Sequence, residues 1–152
     1  MKGIQDTKPV LVSACLLGFP CRHDGKAKIS PSVIGTLKSR PVVPFCPEAA
    51  CGLGIPREPF AFDKTPEGPL RGRGSGTDAT EEFKTGAHLA QAVIKHWEID
   101  TAILKQNSPS CGRDLVYVRA TDGSESKQPG QGVTARALAA LNVRLGTEED
   151  LL

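Results

Sequence analysis

Three short apolar runs, residues 10–14 (VLVSA), 41–45 (PVVPF) and 101–104 (TAIL), are separated by stretches that include helical periodicity. Runs of this length, rich in β-branched residues and alternating with helices, read as strands buried on both faces of a parallel sheet. Each run is followed by a cysteine: Cys15, Cys46 and Cys111. Residues after a strand lie at the carboxyl edge of such a sheet, where open α/β sheets bind their ligands. Three thiols far apart along the chain are therefore expected to meet at one point in space.

The alternation of strand and helix, with right-handed crossovers, gives an α/β fold. The expectation is a single three-layer domain over residues 1–152, with a mostly parallel sheet flanked by helices. The first strand covers residues 9–14 and a polar loop covers 20–28. Ser30 reads as an N-cap with Pro31 at the first helical position, opening a short helix to about residue 39. Residues 46–76 are so dense in glycine and proline that they read as one long loop, either functional or mobile. Asp78, with Glu81 three residues on, reads as a capping box for the clearest helix. Its apolar face is Phe83, Ala87, Ala90, Ile94 and Trp97, with Trp97 as a core anchor. His88 and His96 fall on its solvated side. A third strand over 99–105 leads into a turn-rich loop, 106–112 (QNSPSCG). Residues 115–119 form a short strand, 121–132 a polar connection, 134–141 a helix and 143–145 a last strand.

The five cysteines are odd in number and unevenly spaced, which argues against a disulfide framework and for metal binding or catalysis. No apolar run is long enough to span a membrane, and the amino end lacks the apolar core of a signal peptide. The expected compartment is the cytoplasm, where thiols stay reduced. A net charge of +2 carries no strong nucleic-acid or membrane signal. Thiolates hold zinc and iron–sulfur clusters alike, and no CxxC pair is present, so spacing alone leaves the metal open. Residues 71–76 (RGRGSG) do not open a βαβ unit as a dinucleotide loop does. They read as a lid with permissive glycine hinges over the pocket. His23 reads as a hydrogen-bonding loop residue, and Glu148, Glu149 and Asp150 as a solvated end.

Residues 12–18 (VSACLLG), with 21–25 (CRHDG) behind them, resemble the opening of the thiouracil desulfidase family. The resemblance continues through 44–48 (PFCPE), 52–57 (GLGIPR), 76–80 (GTDAT), Phe83, Gly86 and Ala87, 104–112 (LKQNSPSCG) and 130–135 (GQGVTA). It covers almost the whole chain, in order. It implies a [4Fe–4S] cluster held by only three protein cysteines, Cys15, Cys46 and Cys111. The remaining iron would be a thiophilic Lewis acid for the sulfur of a thiocarbonyl such as that of 2-thiouracil. Water would replace that sulfur with no net electron transfer. The resemblance also implies Glu48 as the acid or base and Ser108 as a hydrogen-bonding or proton-relaying group.

Arg22, Arg57 and Lys105 lie in or beside these motifs. They are expected either to hold a polar substrate or to pair with Asp24 and Glu48. The expected partner is a small-molecule thiolated nucleobase, and the expected assembly a monomer or homodimer. Relatives usually have glycine where this chain has Cys51, which suggests a tight backbone position there rather than a ligand. Cys21 reads as secondary, near the pocket. Three other readings stay open: an iron–sulfur binding or sensing protein without turnover, a metal-independent persulfide enzyme using Cys51 or Cys111, and a zinc-binding structural domain.

Overall fold

A computed structural model describes residues 8–151. Strand β1 (Val10–Ser13) pairs in parallel with β2 (Val42–Phe45) on one side and β5 (Thr101–Leu104) on the other, and β8 (Arg144–Thr147) pairs in parallel with β5. The sheet order is β2-β1-β5-β8. Along β1 the side chains alternate between two cores, as a sheet covered on both faces requires. Leu11 packs with Ala90, Ile94, Leu104 and Leu138, whereas Val10 and Val12 pack with Leu16, Val33 and Leu37. Apart from Leu104 of β5, the first set comes from the helices α3 (Thr80–Trp97) and α4 (Val133–Ala139), the second from the side of α1 (Pro31–Thr36). The α/β class, with helices flanking a parallel sheet, is as the sequence implied.

The segment read as one long loop is not structureless. It contains a one-turn helix α2 (Pro47–Ala50) and two strands, β3 (Phe60–Asp63) and β4 (Leu70–Gly72). The polar connection after residue 120 likewise holds β7 (Glu125–Pro129). With β6 (Leu115–Arg119) these strands build a second, mixed sheet in the order β4-β3-β6-β7. β6 stands where the sequence placed it; β3, β4 and β7 are short or polar and lack the apolar alternation by which strands are recognised. Phe60, Phe62, Leu70, Phe83, Val116 and Val118 form its core. Helix α3 serves both sheets, with Phe83 against the mixed one and Ala90 and Ile94 against the parallel one.

Helix ends follow the sequence in part. Ser30 Oγ accepts the Val33 N–H at 3.3 Å, with Pro31 in the first turn. At α3 the capping position is Ala79, and Asp78 Oδ1 instead accepts the Thr80 N–H at 2.9 Å, so Glu81 closes no capping box. Trp97 is not a core anchor: it is 55% exposed and edge-packed on His96. The chain leaves α3 through Glu98 in the left-handed region (φ +51°), and the Ile99 N–H returns to the Ile94 carbonyl at 3.0 Å. That turn places Ile99, 5% exposed, in the core position expected of Trp97. His88 and His96 are exposed, as expected. Among the described residues no helix is long and apolar enough to cross a membrane.

Candidate active site

Cys15 lies in a tight 3-10 turn directly after β1, Cys46 is the residue between β2 and α2, and Cys111 sits in the loop between β5 and β6. All three line one cavity of about 530 Å³ at the carboxyl edge of the parallel sheet, and Cys21 lines it too. The fold therefore brings together the three thiols that the strand ends pointed to, and adds a fourth. Two glycines make this possible by allowing close approach. A Cβ on Gly86 would lie 2.5 Å from the Pro47 carbonyl oxygen, so only glycine lets α3 press against α2 and seat Cys46 and Glu48. A Cβ on Gly132 would lie 2.5 Å from the Ser110 carbonyl carbon. The contact it preserves lets N–H groups at the start of α4 bind the loop: Val133 to the Pro109 carbonyl at 3.0 Å and Thr134 to that of Ser110 at 2.8 Å.

Gln106 completes the Cys111 loop from inside. It is 2% exposed. Its Oε1 accepts the backbone N–H groups of Arg113 and Asp114, both at 3.0 Å, and its Nε2 donates to Asp114 Oδ2 at 2.8 Å. The acidic end of the chain is not simply solvated. Glu148 pairs with Lys105 at 2.9 Å and accepts the Gln106 N–H at 2.8 Å, while Asp150 pairs with Arg113 at 2.6 Å. These contacts brace the back of the cavity.

Glu48 is held on both carboxylate oxygens. Arg57 Nε donates to Oε1 at 3.1 Å, and Ser110 Oγ donates to Oε2 at 2.9 Å. The Arg57 and Glu48 side chains are only 6% and 12% exposed, so the pair sits in a low-dielectric wall. Arg57 also donates to the carbonyls of Gly54 at 2.9 Å and Cys21 at 3.0 Å, tying three segments together. Ser108 Oγ accepts the N–H groups of Ser110 and Cys111, each at 3.1 Å. Both its lone pairs are thereby used, and its own proton points to Ser110 Oγ, 2.9 Å away. Donation thus runs one way, from Ser108 to Ser110 to Glu48. The sequence reading named Ser108 and Glu48 but missed Ser110 and Gln106. For Ser110 a signal existed: serines two apart around a proline are prone to local side-chain-to-backbone turns.

Burial decides the charge state of the thiols. It pushes Cys15 up to about 11, with the neighbouring Cys46 adding to the rise and Lys105 and Arg22 opposing it. Cys111 is pushed up to about 12, burial again dominating over hydrogen bonds from Ser13 and Ser110. Cys21 keeps its proton and donates it to Cys46, so Cys46 titrates below an ordinary thiol and Cys21 above it. His23 also lines the cavity, and burial lowers its pKa. Among the described residues no three cysteine, histidine or carboxylate side chains crowd closely enough to wrap a single metal ion. A zinc centre needs all its donors about 2.0–2.3 Å from one point. Thiolates that each hold a different iron stand farther apart, and thiols spread around one cavity suit such a cluster.

The remaining candidates are placed as follows. Cys51 does not line the cavity; its Sγ donates to the Glu48 carbonyl at 3.2 Å. Its backbone is ordinary (φ −83°), and the left-handed position is the next residue, Gly52 (φ +89°), so the reading of a tight backbone at 51 is corrected by one residue. Arg22 pairs with Asp24 at 4.0 Å. The 71–76 turn is pinned rather than hinged: Glu58 Oε1 accepts the Gly74 and Ser75 N–H groups at 3.0 and 2.9 Å. To the same cavity the mixed sheet contributes Phe60, Tyr117 and Glu125, with Arg73 just after β4. The Arg73 guanidinium lies 5.2 Å over the Tyr117 ring and 2.9 Å from Glu125.

A family model described as 2-thiouracil desulfurase matches residues 10–150. The uncharacterized protein YbbK of Bacillus subtilis (strain 168) is 36% identical over 148 residues, covering 93% of this chain and 97% of that protein. Among solved structures, the [4Fe–4S]-dependent thiouracil desulfidase TudS superposes with a TM-score of 0.80 at 35% identity, over 95% of this chain and 93% of that one.

Proposed function

This chain belongs to the 2-thiouracil desulfurase family, and from that premise we propose that it is a [4Fe–4S]-dependent, non-redox desulfidase acting on a thiocarbonyl substrate such as 2-thiouracil. The observation that carries the reading is the meeting, on one cavity, of three separated thiols and a half-buried Ser108–Ser110–Glu48 chain. Cys15, Cys46 and Cys111 hold the cluster. Burial keeps Cys15 and Cys111 protonated in the free chain, so ligation displaces their protons. When bound, the cluster supplies one iron without a protein ligand, a thiophilic Lewis acid for the thiocarbonyl sulfur.

The remaining chemistry belongs to the protein. Conversion of C=S to C=O consumes one water and releases hydrogen sulfide and uracil, so no electron enters or leaves. Glu48 takes the proton from the attacking water. Each of its oxygens already accepts one hydrogen bond, from Arg57 and from Ser110, and retains a lone pair for the water. Those two donors fix the plane of the carboxylate, so the base is oriented before substrate arrives. Ser108 orders the chain behind it through its proton to Ser110. Tyr117 and Arg73 line the same cavity and offer an aromatic and a cationic surface to a nucleobase ring. The proposed substrate is a small thiolated nucleobase, the proposed compartment the cytoplasm, and the proposed unit a monomer or homodimer.

The test is reconstitution without oxygen followed by 2-thiouracil. Uracil and sulfide in equal amounts are expected. A chain that takes up no iron and labile sulfide ends the cluster reading. A loaded chain that releases no sulfide from any thiolated base is a binding or sensing protein instead.

A further inference from the structure

The mechanism uses three of the four thiols on the cavity and leaves Cys21 without a task. Cys21 is 8% exposed and lines the same cavity as Cys46. Cys46 Sγ lies 3.7 Å from the Cys21 carbonyl oxygen, and Cys46 packs against the apolar cluster that contains Cys21. Arg57 Nη2 donates to that same carbonyl at 3.0 Å while its Nε holds Glu48, two residues from Cys46, so the two segments are clamped together. Cys51 points away, to the Glu48 carbonyl.

We propose that Cys21 is the redox partner of Cys46: in the cluster-free chain the two close to a disulfide that shields Cys46 from irreversible oxidation. With the Cys46 sulfur already against the Cys21 backbone, the two sulfurs reach bonding distance by side-chain rotation, without large backbone movement. With hydrogen peroxide as oxidant, the Cys46 sulfur attacks the O–O bond, becoming a sulfenic acid and releasing one water. The Cys21 sulfur then attacks the Cys46 sulfur and expels a second water. Two thiols have lost two electrons and two protons, and peroxide has taken both. Without a partner, the sulfenic acid proceeds to sulfinic acid, which thiol reductants do not reverse. With the cluster in place the Cys46 sulfur is engaged, so the pairing belongs to the empty site. The pairing itself needs only the two thiols; its protective value rests on Cys46 being a cluster ligand.

The test is peptide mapping of the cluster-free chain after limited hydrogen peroxide, without and with concentrated urea. The expected product is a Cys21–Cys46 linked peptide that accounts for most of the oxidised Cys46 in the folded chain, a preference lost in urea. Linkage through Cys15, Cys111 or Cys51, sulfinic acid at Cys46 ahead of linkage, or the same preference in urea would each overturn the proposal. In the near-isosteric Cys21→Ser, sulfinic acid at Cys46 is expected to accumulate, with iron and labile sulfide uptake after dithiothreitol several-fold below the similarly treated wild type. Equal recovery refutes the protective role. The peptide map involves no cluster, so it stands or falls apart from the desulfidase reading.

Discussion

The two sheets divide the labour of this molecule. The parallel sheet has its first strand buried throughout and carries thiols at its carboxyl edge; the mixed sheet contributes aromatic and charged side chains to the same cavity. The first has the apolar strands of a structural core, and its edge carries the groups proposed to react. The second includes an exposed strand, β7, and a turn pinned by Glu58, and it shapes the space. Reactive groups gain from the rigid edge, because a thiolate or carboxylate displaced by about an ångström loses its geometry. A wall tolerates more.

The sharpest test of that division is the edge itself. Replacing Cys15, Cys46 or Cys111 by serine is expected to remove most bound iron and all measurable sulfide release, read by iron and labile-sulfide assay. Retention of a full cluster in any one of the three would remove that residue from the ligand set. Next comes Glu48→Gln, which keeps hydrogen bonding but not the base. It should leave iron content unchanged and lower kcat by about 10²–10⁴-fold. A smaller effect would shift the base elsewhere on the cavity, with His23 the first group to examine.

Arg57→Met breaks a buried pair from one side and should cost about 3–5 kcal/mol in a denaturant titration, because the Glu48 charge is left without its partner. Tyr117→Ala probes the wall. It should raise KM several-fold at constant kcat, since an aromatic contact is worth about 0.5–1.5 kcal/mol; a matching fall in kcat would mean that the mixed sheet takes part in the chemistry. The smallest effect is one of pH. Arg113 holds Asp114 and Asp150 below the ordinary carboxylate range by direct hydrogen bonds. Their folded-state values are depressed, so their contribution is complete above an unfolded value of about 3.9 and is lost as pH falls through the lower folded values. The difference in thermal midpoint between the wild type and Arg113→Met, which isolates these two carboxylates from the other titrating groups, should therefore be flat above roughly pH 5 and shrink below roughly pH 4.

Much of this architecture was legible before the fold. β-Branched runs marked β1, β2 and β5, and the cysteines after them met as expected because a parallel sheet aligns its strand ends. Phe83, Ala87, Ala90 and Ile94 marked the buried face of α3. Trp97 extended that periodicity one step too far, because the left-handed turn at Glu98 hands its place to Ile99. In the mixed sheet only β6 was legible, at residues 115–119: β7 reads Glu-Ser-Lys-Gln-Pro, and only its antiparallel partner β6 makes it a strand. Arg57 and Glu48 were both noticed, but their union depends on two segments folding against each other.

The sequence by itself determined the parallel sheet, the thiols at its edge and the family to which they belong, because periodicity and local motif are written in consecutive residues. Only the tertiary structure decided that Cys21 lies against Cys46, that Ser110 bridges Ser108 to Glu48, and that Glu148 braces Lys105. Those contacts join residues as far apart as 48 and 110, and a hydrogen bond needs its partners within about 3 Å, a condition that no local pattern encodes.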